Sequence, residues 1–343
     1  MFEFFKEENM KYSEEACITE QFKREYADGI ESLIKKREKA AEAVRESRDI
    51  ISNQDKYRAE LCEMLGFPLT EKRESGAPHV NLKKLSEENG YTVYRMHFTV
   101  LDTVTVTGLF FKQDGEESKP LIICQHGGEG TPELISGVYG STANYNGMLE
   151  RVRKLGVHVF APQLLLWSDK YNVPYDRKAV DARLKRVGSS ITAVEIYAIE
   201  RIIDYFEGKP YVKNFGMVGM SYGGFYTLFT SAVDTRIKAA VSCSFFNKRD
   251  AVTWSDWTWQ NSAEKFDDAE VACLIYPRSL CIEIGNKDEL FDYREGIDAF
   301  EKLKKRCEKC GTNWIELIVF DGTHEFCRDD APLEKLAKIL FGE

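Results

Sequence analysis

Phe215-Gly216-Met217-Val218-Gly219-Met220-Ser221-Tyr222-Gly223-Gly224 decides the reading of this chain. Apolar residues suited to a short buried strand run into Gly-x-Ser-x-Gly, and Phe225 to Ala232 continue with helical character. A turn that lifts a serine between a strand and a helix is tight enough to exclude side chains two positions either side of it, which accounts for Gly219 and Gly223. The pattern alone would arise by chance in roughly one chain in ten of this length, so its strand-to-helix setting carries the weight.

A serine hydroxyl is a weak nucleophile in neutral water. It needs a base within hydrogen-bond reach, and that base needs an acid to fix its tautomer. On a strand–turn–helix elbow the chain order is serine, acid, histidine. Four of the five histidines, His79, His97, His126 and His158, precede Ser221, which leaves His324 in the turn Asp321-Gly322-Thr323-His324-Glu325. The acid belongs in the loop after the preceding strand, and Leu280 to Gly285 followed by Asn286-Lys287-Asp288 selects Asp288. Glu283 lies within that strand, and Glu289 and Asp292 stand further along the loop. An oxyanion needs two N–H donors: Tyr222, directly after the serine, and Gly128 in Gln125-His126-Gly127-Gly128, with Gly127 its neighbour. His126 then reads as a holder of that loop.

Outward from these motifs, strands and helices alternate from Leu121 to the C-terminus, which predicts a mostly parallel sheet covered on both faces. Period-two patterns at Thr92–Phe98 and Val104–Thr107, with Asp102 between them, predict an antiparallel hairpin before it. Residues 13–65 are rich in Glu, Lys, Arg and Ala with apolar residues at helical spacing, the last helix stopping at Gly66. The expected division is a helical extension over 1–85 and a catalytic domain over 86–343, with cap-like insertions at 163–188 and 245–277. Trp167, Trp254 and Trp257 in those insertions are expected pocket walls, packing being the competing role.

Composition narrows the partners. The 343 residues are 43% hydrophobic and carry a net charge of -9 without a basic block, which speaks against nucleic acid. The charged Met1-Phe2-Glu3-Phe4-Phe5-Lys6 start and the absence of any long apolar run lead to an expectation of a cytoplasmic protein without a membrane role. Nine scattered cysteines are expected as reduced thiols, Cys307-x-x-Cys310 included. No phosphate-loop, dinucleotide or His-Glu-x-x-His motif is present, so neither cofactor nor metal is expected. Homo-oligomerisation through the N-terminal helices is left open.

Gln125-His126-Gly127-Gly128, Gly219-Met220-Ser221-Tyr222-Gly223-Gly224, Gly285-Asn286-Lys287-Asp288 and Gly322-Thr323-His324 together resemble the α/β-hydrolase superfamily. The closer similarity is to its dienelactone-hydrolase-like and acetyl xylan esterase-like branch, with Met64-Leu65-Gly66-Phe67-Pro68 ahead of the sheet. It covers about Gln54 to the C-terminus and is weakest in the two insertions. The resemblance implies an α/β-hydrolase fold and a serine-dependent hydrolysis of small carboxylic esters. Dienelactone hydrolases proper carry cysteine at the elbow, so Ser221 implies an ester or related acyl hydrolase instead. A peptidase or thioesterase on the same machinery, and an inactive hydrolase-shaped binding protein, are the competing expectations.

Overall fold

The computed structural model describes residues 13–88, 90–166, 176–252 and 254–343. The chain divides into two compact units, Met1–Arg48 and Asp49–Glu343. Of the first unit the described part is one long helix, α1 (Ser13–Glu46). The second runs α2 (Gln54–Leu65), β1 (His79–Glu88), β2 (Tyr91–Leu101), β3 (Val104–Gln113), β4 (Lys119–Gln125), α3 (Pro132–Ile135), α4 (Met148–Arg153), β5 (His158–Pro162), α5 (Arg177–Lys185) and α6 (Ile191–Glu207). It continues with β6 (Val212–Met220), α7 (Tyr222–Val233), β7 (Ile237–Cys243), α8 (Ser262–Lys265), α9 (Asp268–Cys273), β8 (Ser279–Gly285), α10 (Tyr293–Arg306), β9 (Ile315–Phe320) and α11 (Ala331–Phe341). Among the described residues no helix is long and apolar enough to cross a membrane.

All nine strands join one sheet in the order β1-β2-β3-β5-β4-β6-β7-β8-β9. The pairings from β5 through β4 to β9 are parallel, and β1–β2, β2–β3 and β3–β5 are antiparallel. This is the expected α/β architecture. Central strands of such a sheet must be apolar on both sides because helices cover both faces. In β4, Leu121 and Ile123 enter one core while Ile122 and Cys124 enter the other. In β6, Met217 faces the first core and Val218 and Met220 the second.

Local signals explain the flanking elements. Ser190 caps α6 by accepting the Ala193 N–H at 3.1 Å, and Ile196, Ile199, Ile203 and Phe206 bury a helical stripe against the sheet. Gly66 ends α2 at φ 95°, a backbone angle that side chains rarely adopt, and its N–H reaches the Cys62 carbonyl at 2.8 Å. Asp102 turns the β2–β3 hairpin at φ 43°.

The organisation differs from the expected extension over 1–85. Helix α2 belongs to the larger unit, where Leu61 and Leu65 lie in its core, and residues 79–88 form the edge strand β1. Strand β1 is almost entirely exposed, so it carries no alternation of apolar residues, and its pairing partner β2 supplies the structure. The insertion at 245–277 contains α8 and α9, and its Trp257 and Trp259 are core residues. In the insertion at 163–188, Trp167 lies outside the described residues and α5 forms its second half.

Candidate active site

Strand β6 ends at Met220 and α7 begins at Tyr222, so Ser221 alone makes the turn, at φ 59° and ψ −123°. A positive φ on a side-chain-bearing residue is strained and persists only where its surroundings impose it. They do so here: the Ser221 N–H donates to the Cys243 carbonyl of β7 at 2.9 Å, and the Ser221 carbonyl accepts from the Phe225 N–H at 2.9 Å. The flanking glycines are required by contact. A Cβ on Gly219 would stand 2.3 Å from the Gly223 carbonyl oxygen, and one on Gly223 would stand 2.1 Å from that of Gln125.

The loop after β4 presses against this turn. A Cβ on Gly127 would lie 2.7 Å from the Met220 carbonyl oxygen and 2.9 Å from Ser221 Cβ. Its N–H donates to Tyr145 Oη at 2.6 Å, and that hydroxyl donates to the Gly128 carbonyl at 3.3 Å. The Gly127 N–H is thus committed to holding the loop. His126 is fully buried; its Nδ1–H donates to the Gly127 carbonyl at 2.9 Å and its Nε2 accepts the Leu164 N–H at 3.0 Å. Burial pushes its pKa down to about 4, so the ring is neutral and serves as a buttress.

The loops after β8 and β9 carry Asp288 and His324, the expected acid and base. They are stitched together by the Asn286 N–H to the Phe320 carbonyl and the Lys287 N–H to that of Gly322, both at 2.9 Å. His324 Nδ1 meets Asp288 Oδ2 at 2.8 Å. Asp288 Oδ1 accepts the N–H groups of Leu290 at 2.8 Å and Phe291 at 3.1 Å, which locks the carboxylate in orientation. Its alternatives are differently engaged: Asp292 caps α10 through the Arg294 N–H at 2.9 Å, Glu289 is exposed, and Glu283 is buried inside β8. Ser244 Oγ donates to the Glu325 carbonyl at 2.8 Å, joining the histidine loop to the strand that also anchors Ser221. Ser221, Asp288, His324 and the Gly127–Gly128 turn therefore all stand at the C-terminal edge of the parallel strands, where α/β sheets place their sites.

Aromatic rings extend from this edge. Tyr222 stacks on Trp254 at 5.6 Å between centroids, Trp254 meets Phe291 at 5.9 Å, and Phe291 lies 5.6 Å from the His324 ring. Trp254 is only partly buried. Trp257 is 2% exposed and packs on Tyr222, Phe225 and Phe245, so it is a core residue and the expected pocket role does not suit it.

A buried ionic network beneath Tyr222 escapes the motif-based reading. Arg177 of α5 donates Nε to Asp256 Oδ2 at 2.8 Å, Nη2 to Glu195 Oε2 at 2.9 Å and to Tyr226 Oη at 2.8 Å, and Nη1 to the Leu165 carbonyl at 3.0 Å. Tyr222 Oη donates to the same Asp256 oxygen at 2.8 Å, and the guanidinium sits over the Tyr222 ring. Burial, reinforced by Asp256, pushes the Tyr222 phenol far up, so it remains a donor. The residue after the serine is thereby fixed at its backbone by the elbow and at its tip by Asp256. Among the described residues no group of three or more His, Cys, Asp or Glu side chains is arranged to hold a metal.

Comparison with known proteins bears on the fold and the family. A Bacillus subtilis (strain 168) protein named "Putative hydrolase YtaP" is 27% identical over 199 residues, 53% of this chain and 64% of the relative, so the chain spans less than two thirds of that relative's length. Of solved structures, one titled a "putative acetyl xylan esterase" from Bacteroides fragilis NCTC 9343 superposes with a TM-score of 0.65 at 16% identity, covering 78% of this chain and 74% of the other. Acetyl Xylan Esterase 1 from Thermoanaerobacterium sp. JW/SL YS485 does so with a TM-score of 0.55 at 16% identity, covering 84% and 94%. At such identities the structures establish a shared fold. The dienelactone hydrolase family model matches residues 134–338, more than half of the chain, from within α3 to within α11, and the chain belongs to that family.

Proposed function

We propose that the chain is a serine hydrolase that cleaves small carboxylic esters through an acyl-enzyme. Ser221 Oγ attacks the ester carbonyl while His324 Nε2 takes its proton; Asp288, held on Nδ1, fixes the tautomer and stabilises the imidazolium. The N–H groups of Tyr222 and Gly128 receive the oxyanion. His324 then returns the proton to the leaving alcohol, and water repeats the sequence to release the acid. No cofactor enters these steps. The observation that carries the reading is the 2.8 Å contact between His324 Nδ1 and Asp288 Oδ2, on loops at the same sheet edge as the strained Ser221.

The aromatic wall of Tyr222, Trp254 and Phe291 suits the flat or apolar side of a small ester. The proteins named as acetyl xylan esterases among structures of similar fold support acetyl esters as the first substrates to try. Ser221→Ala should remove p-nitrophenyl acetate turnover and labelling by a fluorophosphonate while leaving the circular dichroism spectrum intact. Turnover within tenfold of the parent chain would refute the assignment of Ser221. Acyl-thioesters and short peptides belong in the same assay, since a preference for either replaces the ester reading.

A further inference from the structure

Helix α1 is 34 residues long, yet an apolar stripe along it lies in the open: Phe22 is 60% exposed and Tyr26 75%, with Ile30, Leu33 and Ile34 also exposed. Their spacing of three and four residues puts them on one face, the pattern of a helix that packs against something. A helix draws most of its stability from such packing, not from propensity, so a stripe of this size in water is a binding face. Charge identifies the occupant. From Glu20 to Ser32 the helix carries Glu20, Glu25, Asp28 and Glu31 against Lys23 and Arg24, a net -2. From Leu33 to Glu46 it carries five Lys and Arg against Glu38, Glu42 and Glu46, a net +2.

We infer that two copies of the chain associate through an antiparallel pairing of their α1 helices. Reversing one helix against the other sets each acidic half on a basic half, whereas parallel pairing would set like on like. A two-fold axis beside Ile30 and Glu31 brings the central apolar residues of both copies together. Glu25 and Lys36 are eleven residues apart, about three turns, and so share one flank of the stripe. The axis places Glu25 beside the partner's Lys36, and the symmetric pair forms on the other side. Arg37, which interrupts the stripe, falls between the partner's Phe22 and the partner's Tyr26, where its guanidinium can lie on the rings.

Sedimentation equilibrium of the full chain at about 20 μM should give twice the chain mass of 39.4 kDa. Ile30→Asp, on an exposed helix position, should give single-chain mass with unchanged helix content and unchanged p-nitrophenyl acetate hydrolysis. Glu25→Lys or Lys36→Glu alone should weaken the dimer at least about tenfold, and the two together should restore it, because the swapped charges face each other only in the antiparallel arrangement. A parent chain that is monomeric, with α1 folded onto its own body, would overturn the inference. So would a dimer indifferent to Ile30→Asp, or a double charge swap that fails to restore binding.

Discussion

Replacing Glu283 by Gln should make the folded chain progressively more stable, relative to the parent, as the pH rises from acid to alkaline solution. Glu283 lies inside β8, in register with Cys243 of β7, and is 0% exposed. Neither carboxylate oxygen makes a hydrogen bond of normal geometry among the described residues; the Cys243 thiol offers at most a weak donor. Burial therefore dominates and lifts the carboxyl from 4.5 to about 7, with Cys243 and Arg151 opposing it only in part.

The sign and size follow from linkage. The unfolded chain releases this proton near pH 4.5 and the folded chain only near 7, so between those values the folded state holds the extra proton and stability falls as pH rises. The accumulated loss above the upper value is about 3 kcal/mol. Gln has no proton to release, and its unpaired amide adds a penalty that does not vary with pH. The variant-minus-parent difference should thus climb by about 3 kcal/mol from pH 4 to pH 8, whatever its starting offset. Urea unfolding followed by circular dichroism at pH 4, 6 and 8 measures it. A difference that stays flat across that range would refute the account of a buried neutral carboxyl.

Further outcomes are expected at the site. Asp288→Asn should lower ester turnover by about 10³ to 10⁴ with the fold retained, and Glu289→Gln should leave turnover unchanged; the kcat of p-nitrophenyl acetate hydrolysis checks both. Gly223→Ala drives a Cβ into the Gln125 backbone and should destabilise by roughly 3 kcal/mol or more, whereas Gly208→Ala, with nothing within 4 Å, should be tolerated; thermal unfolding compares them. Asp256→Ala leaves Tyr222 Oη and one edge of the Arg177 guanidinium without their acceptor deep in the protein and should cost about 3 to 5 kcal/mol, read by the same scan.

What was legible from the sequence shares a physical property: each feature is imposed by a turn and its immediate neighbours. Ser221 needs Gly219 and Gly223 because backbone passes within van der Waals distance of their missing side chains, so the constraint is written locally. Asp288 and His324 are 36 residues apart, but each follows an apolar strand by a few residues, and parallel strands bring such loops to one edge. Strand β1 was not legible because an exposed edge strand has no buried face to pattern its residues, and it exists through pairing with β2.

The ionic network under Tyr222 illustrates the opposite limit. Arg177, Glu195, Tyr226 and Asp256 come from α5, α6, α7 and a loop, at separations of 18 to 79 residues from Arg177, and no periodicity or turn rule links them. Four groups that would each be costly to bury alone become tolerable only when all meet, so their identities are fixed by three-dimensional contact and by nothing nearby in the chain. This network positions the ring beside Ser221, and through Tyr222 it sets the wall that continues to Trp254 and Phe291. The turns that bring Ser221, Asp288 and His324 to one sheet edge were therefore readable in the sequence while the aromatic wall beside them was not: the first depends on short local constraints, the second on long-range contacts.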